Sequence, residues 1–323
     1  MTRIVGLLSS SRSRTIAGNA LLAGVLGYAS FLLYTEYPRL SATLSDLSPS
    51  LAVASLALLA AGSLLNAWAW QLLVDDGHRP IGLPAAAPVM LLGAVAKYLP
   101  GQVWSYALQL SRGRRINLAP QRVLAASLEL FGIGVVAALV LAVGYLPLVF
   151  STPWPAVLVL AICVLALVAV LPDILGWAVG LVLRLLRQPP VRRPGWSAAV
   201  GSLLLSLLSW CSLGGHLWLL VLAFRPASVT GFLGCTTAMA VAVTFGDVLI
   251  FLPGGVGARE TMLIAGLALS GVGSTTALAL AAASRALFVL NDLALAALAL
   301  GFERLRRPAA HEVPAARTGA GPG

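Results

Sequence analysis

The sequence predicts an all-α, polytopic integral membrane protein with about six spanning helices, two re-entrant hairpins and an inverted repeat. Three observations predict it. Hydrophobic residues make up 59% of the 323-residue chain, charged residues only 10%, and mean hydropathy is +0.94. A soluble domain carries charge at roughly a quarter of its positions. The apolar residues also come in long runs, nearly free of charge, at 51–73, 123–143 and 156–171. Each approaches or exceeds the length of a spanning helix, and helices satisfy every backbone polar group internally, as lipid demands. Finally, the arginines cluster in short connections: Arg3, Arg12 and Arg14; Arg112, Arg114, Arg115 and Arg122; Arg184, Arg187, Arg192 and Arg193; Arg304, Arg306 and Arg307. Such clusters mark cytoplasmic loops. The net charge of +10 is therefore read as topogenic, with contact to anionic lipid headgroups compatible and no nucleic-acid partner expected.

The clusters thread the chain. With the N-terminus inside, a first span (about 16–35) exits to an outer loop at 36–49. The absence of a small-residue cleavage site makes it an uncleaved helix, not a signal peptide. A second span (about 51–74) returns. The next apolar stretch, about 84–111, is interrupted at Lys97-Tyr-Leu-Pro-Gly101 and ends at Arg112, Arg114 and Arg115, on the side where it began. Two half-helices of about 10–13 residues, roughly 15–20 Å each, reach mid-bilayer and turn back. A third span (about 123–146) exits, and a fourth returns, bent near Pro172 and Asp173. A fifth (about 197–223) exits again. The last (about 274–302) ends inside at the final arginine cluster. The stretch 230–272 therefore starts and ends outside, broken by Phe251-Leu-Pro-Gly-Gly-Val-Gly-Ala-Arg-Glu260. It reads as a second hairpin from the opposite face. Its first limb, about 20 residues, is long enough to cross, so a full crossing stays open.

Both halves then follow one order: helix, helix, hairpin, helix. Asn66-Ala-Trp68 resembles His216-Leu-Trp218, Leu99-Pro-Gly101 resembles Leu252-Pro-Gly254, and Ser127 with Glu129 falls near Ser284 with Arg285. Inverted repeats with broken helices are a recurring transporter architecture. One transmembrane domain at 1–307 is expected, with repeats at about 15–150 and 155–305. A disordered cytoplasmic tail is expected at 308–323, where Pro, Ala and Gly dominate.

Seven ionisable residues fall inside the membrane: Lys97, Glu129, Asp247, Arg259, Glu260, Arg285 and Asp292. Each costs about 2.5–3.5 kcal/mol at a helix centre. At each Pro-Gly break a half-helix begins near Gln102 or Ala258, and its free N–H groups and positive dipole end face the interior. Lys97 and Arg259 add charge, making a pocket suited to a phosphate or another anion. Trp104 would line a lipid groove or anchor the interface. Glu129, Asp247, Glu260, Arg285 and Asp292 would balance the charge or couple an ion. A purely structural reading instead pairs Lys97, Arg259 and Arg285 with Glu129, Glu260 and Asp292 to lock helices together. His216 is read as a hydrogen-bonded interior residue. The scattered Cys163, Cys211 and Cys235, and His78, His216 and His311, indicate neither disulfides nor a metal set. No enzyme motif stands out: Gly254-Gly-Val-Gly257 follows no strand, so it is no nucleotide loop.

Lys97-Tyr-Leu-Pro-Gly-Gln-Val-Trp104 and Leu252-Pro-Gly-Gly-Val-Gly-Ala-Arg-Glu260 resemble the two signatures of the lysylphosphatidylglycerol synthase transmembrane-region family, across roughly 15–305. This family includes the membrane domain of bacterial multiple-peptide-resistance factors. The resemblance implies lipid translocation between leaflets of the bacterial inner membrane, and carries to Lys97, Pro100, Gly101, Pro253, Gly254, Gly255, Gly257, Arg259 and Glu260. The synthase domain of those factors is expected to be absent, so the lipid's identity does not carry over. A phospholipid, a glycolipid and a polyprenyl-phosphate carrier all stay open. The leading expectation is a flippase, non-enzymatic and without cofactor, with both termini cytoplasmic. A membrane scaffold for a cytosolic glycosyltransferase or lipid-modifying enzyme is the alternative. A membrane-embedded transferase using Glu129 or Glu260 as base is a third. A cytosolic lipid-modifying enzyme and a second copy of the chain stay open as partners.

Overall fold

A computed structural model describes residues 34, 48–75, 80–99, 103–149, 157, 161–162, 164–165, 168–224, 226–249 and 257–305. Nine α-helices are defined among them: α1 Pro49–Val74, α2 Leu83–Val95, α3 Val103–Arg115, α4 Pro120–Val149, α5 Pro172–Leu185, α6 Trp196–Val221, α7 Val229–Val248, α8 Ala258–Leu269 and α9 Ser274–Leu305. A 3-10 turn, Ala96–Tyr98, extends α2. The chain is an all-α, polytopic membrane protein: α1, α4, α6, α7 and α9 are each long and apolar enough to cross a bilayer. The second, third, fifth and last predicted spans correspond to α1, α4, α6 and α9. The first predicted span falls almost wholly outside the described residues. The predicted bend at Pro172 is the start of α5, where Leu171 is extended (ψ 132°) and the proline sits in the first turn, a position that needs no N–H.

Both interrupted stretches are paired helices. α2 and α3, 13 residues each, span about 20 Å apiece and pack on one another. α7 and α8 also pack together, but they are unequal. α7 has 20 residues and α8 has 12, so α7 alone reaches about 30 Å. Pro100, Gly101 and Gln102, and Pro253, Gly254 and Gly255, lie outside the described residues.

At the centre α1 and α6 run antiparallel. Serine hydroxyls of α6 donate to carbonyls of α1: Ser202 to Ala69 (2.5 Å), Ser209 to Gly62 (2.9 Å) and Ser212 to Leu58 (2.7 Å). Residue numbers fall on one helix as they rise on the other. Small residues let the backbones approach, which drives helix association where lipid is as apolar as the core. One core gathers around α1, α2 and α4 (Trp70, Leu73, Val89, Ile133). A second gathers around α6 to α9 (Leu217, Met239, Leu263, Leu280). A third joins α2 and its 3-10 turn to α9 (Leu92, Val95, Tyr98, Val289, Ala296). The first limb of each hairpin therefore packs across the molecule: α2 against α9, and α7 against α4.

Several arginines of the predicted inner face tie helix ends together. Arg112 and Arg115 of α3 reach Glu303 of α9 at 2.8 and 3.9 Å. Arg122 donates to Leu73 O (2.5 Å), Val74 O (3.2 Å) and Arg192 O (2.9 Å), satisfying carbonyls that the end of α1 leaves open.

α6 approaches α7 closely at Gly214. A Cβ at Gly214 would collide with the backbone Cα and side chain of Thr236. Gly214→Ala is expected to cost about 1–3 kcal/mol by overpacking, read as a lower midpoint of thermal unfolding in detergent.

Candidate functional site

The 3-10 turn after α2 sets Lys97 and Tyr98 against α9. Lys97 Nζ lies 2.7 Å from Asp292 Oδ2, and the Tyr98 hydroxyl donates to the same oxygen at 2.7 Å. Asp292 is only 5% exposed, whereas Lys97 is 25% exposed, so the lysine retains access to the interior space beside it. One turn back along α9, Phe288 presents its ring. Lys97 Nζ lies 5.8 Å from the ring centroid, and Arg259 Cζ lies 4.0 Å from it. The two cations from the two hairpins therefore converge on one side chain.

Arg259 itself is buried. Among the described residues it has no carboxylate within ion-pair distance. Its recorded partners are the Phe288 ring and Met239 Sδ, 3.8 Å from Nη2. An aromatic face stabilises a desolvated guanidinium by about 2 kcal/mol and leaves some of its donors for another group. Beneath Phe288, His216 meets the ring edge-on at 5.7 Å. Its Nδ1 lies 2.6 Å from Ser55 Oγ and its Nε2 3.0 Å from Ser284 Oγ. His216 is thus a fully buried, doubly hydrogen-bonded strut joining α1, α6 and α9, as the sequence suggested.

Glu260 has two roles at the start of α8. One oxygen accepts from the Gly257 backbone N–H at 2.7 Å, and the other is bonded to Arg285 of α9. Gly257 has φ +83° and ψ −55°, a conformation open to glycine and strained for other residues. Sequence reasoning left the donors at this helix start available to an anion. The structure shows that one of them is already occupied by the helix's own glutamate.

Between the hairpins lies a cavity of about 240 Å³. Of the anticipated site residues, Lys97, Asp247 and Asp292 line it; Arg259 lies against the ring of the lining residue Phe288; and Glu260, Arg285 and the buried Glu129 are outside the lining. Trp104 is 44% exposed and forms no part of the wall, which its neighbour Tyr106 does. Of the three cations and three carboxylates that the purely structural reading paired without assigning partners, Lys97 pairs with Asp292 and Arg285 with Glu260. Ion pairing among the described residues does not account for Arg259 or Glu129.

The wall also holds neutral polar residues that a search for charges overlooks: Ser63, Asn66, Ser105, Gln109, Ser127 and Ser206. Several are tied together. Gln109 Oε1 accepts from Ser127 (2.7 Å), Ser127 Oγ accepts from Trp70 Nε1 (3.0 Å), and Ser105 donates to Gly93 O (2.8 Å). The available signal was an isolated amide within a charge-free run, as at Asn66 and Gln109.

A bundle of apolar helices, five of them long enough to cross a bilayer, around a polar, charged interior cavity defines a helical membrane domain. The chain belongs to the family described as lysylphosphatidylglycerol synthase TM region, whose model matches residues 16–295. The match takes in both hairpins together with Phe288 and Asp292, and it indicates a function related to membrane lipids. No curated protein matches the chain.

Proposed function

We propose that the protein moves a lipid with a phosphate-bearing or otherwise anionic headgroup between leaflets of the bacterial inner membrane, acting as a transporter and not as an enzyme. Phospholipid, glycolipid and polyprenyl-phosphate types all satisfy the chemistry. The observation that carries the reading is the convergence of Lys97 and Arg259, one from each hairpin, on Phe288 beside the cavity.

The chemistry is partner exchange. With the site empty, Asp292 neutralises Lys97. A headgroup phosphate entering the cavity takes the place of the carboxylate at Lys97, and a shift of the Phe288 ring, which stands between the cavity and Arg259, lets it accept from the guanidinium as well. Hydrogen bonds to charged groups each contribute about 1.5–3 kcal/mol. Tyr98 continues to donate to Asp292, so the displaced carboxylate keeps a partner. The acyl or prenyl tails remain in lipid, and only the headgroup crosses.

Inverted symmetry supplies the motion. Exchanging α1 with α6, α2 with α7, α3 with α8 and α4 with α9 maps the packing pairs among these helices onto themselves. α1·α2 becomes α6·α7, α2·α9 becomes α7·α4, and α1·α9 becomes α6·α4. The antiparallel α1–α6 contact maps onto itself. These correspondences support two repeats of opposite orientation that rock about the α1–α6 seam and expose the cavity alternately. The arginine-rich ends would face the cytoplasm, with both termini there.

The test is reconstitution into liposomes with leaflet-selective lipid labelling. Purified protein should speed exchange of an anionic phospholipid relative to protein-free liposomes. Equal rates would refute transport, and co-purification of a cytosolic enzyme with such an inactive protein would favour the scaffold.

A further inference from the structure

We propose that Glu129 is a proton-binding site through which a proton gradient acts on lipid movement; the coupling rests on the transport reading above, whereas the proton site does not. Glu129 lies within the spanning part of α4 and is 2% exposed, and its Oε2 has no hydrogen-bond partner among the described residues. Among the described residues no Lys, Arg or His lies within 4.0 Å of its carboxyl group. A carboxylate held there as an anion would bear a desolvation cost of several kcal/mol with no ion pair among the described residues to offset it. A proton removes the charge. A metal cation would instead require several oxygen ligands, and no cluster of three His, Cys, Asp or Glu side chains forms among the described residues.

The charged and titratable groups around α4 have other partners. On α4 itself, Arg122 is spent on the carbonyls of Leu73, Val74 and Arg192, and Tyr145 points to Ser270. On α1, Asp75 bonds Gln71 and the Ile81 N–H. On α3, Arg112 and Arg115 reach Glu303. On α5, Asp173 pairs with Arg193, and Arg184 donates to Gly180 O. On α6, His216 is held by Ser55 and Ser284, and Cys211 is half-buried. On α7, Asp247 belongs to the cavity wall.

A route to the carboxyl group is at hand. Ser127 and Leu130, on either side of Glu129 in the chain, line the cavity, as does Ser206. Ser206 Oγ is the other buried side-chain polar atom without a partner among the described residues. Trp210 Nε1 donates to Gly134 O at 3.1 Å, which docks α6 on α4, and Ser206 and Leu130 each lie one turn before those residues. A hydroxyl both accepts and donates, so Ser206 can pass a proton between the cavity and the neighbourhood of Glu129.

Infrared spectra of the full chain in lipid nanodiscs test the site. At neutral pH the wild type should show a protonated-carboxyl stretch that shifts in D₂O and is absent from Glu129→Gln. If Glu129→Gln fails to fold, Glu129→Asp must displace this band instead of leaving it in place. A band untouched by these changes, or one that does not shift in D₂O, overturns the proton site. Liposomes carrying an imposed proton gradient test the coupling. The gradient should change the wild-type rate of lipid movement several-fold and leave the Glu129→Gln rate equal with and without it. An equal response in both proteins overturns the coupling. A wild type that moves no lipid under any gradient overturns transport and coupling together, while the infrared result still decides the proton site.

Discussion

Arg259→Gln is expected to slow leaflet-to-leaflet movement of an anionic lipid about ten- to a hundredfold, the equivalent of one hydrogen bond to a charged group at 1.5–3 kcal/mol, while the protein remains folded. The second half of the expectation is as specific as the first. Arg259 stacks on Phe288 and touches Met239, so its removal strands no buried carboxylate in an ion pair. The lost ring contact is worth about 2 kcal/mol and is offset by relief of a desolvated charge. Arg259→Lys retains the charge and loses the planar fork that stacks and donates in parallel, so it should fall between the two. Leaflet-selective labelling in liposomes gives the rate, and thermal unfolding in detergent gives the stability. A wild-type rate for Arg259→Gln would remove this residue from the site.

Lys97→Ala should have the opposite profile, with stability lost along with transport. It would leave Asp292, 5% exposed, with Tyr98 as its remaining recorded partner. Breaking a buried pair from one side costs about 3–5 kcal/mol, and the lower end applies because Lys97 is itself 25% exposed. The double change Lys97→Met with Asp292→Asn removes both charges, keeps an amide oxygen as acceptor for the Tyr98 hydroxyl, and should recover most of that stability, yet it should not restore lipid movement. Recovery of stability without transport would separate the lysine's work on the lipid from its hold on α9. If Lys97→Ala unfolds at the wild-type temperature, the pair contributes nothing to the fold.

Much of this architecture was legible in the chain. The runs at 51–73 and 123–143 became α1 and α4, the stretch before Arg112 became two helices of 13 residues, and the break before Arg259 separated α7 from α8. These features are local. A spanning helix is defined by an unbroken apolar run of about 20 residues, and glycine at 257 signals a turn that other residues enter only under strain. Lys97, Arg259 and Glu260 could be singled out because a charge inside a membrane is costly wherever its partner lies.

Partners were another matter. The sequence could not choose among Glu129, Glu260 and Asp292 for Lys97, and it gave no sign that Glu260 would cap its own helix as well as hold Arg285. In a soluble bundle the apolar stripe of each helix would have shown which residues face inward. Here lipid and core are equally apolar, so Leu298, 69% exposed, and Leu280, fully buried, look alike in the chain. By itself the sequence determined that this protein is a membrane-embedded helical bundle broken at two charged hairpins, because hydropathy and backbone satisfaction act on each segment alone. The tertiary structure alone decided that Lys97 and Arg259 meet at Phe288 and that Glu129 has no ion-pair partner among the described residues, because helix rotation and register are set by packing between segments distant in the chain.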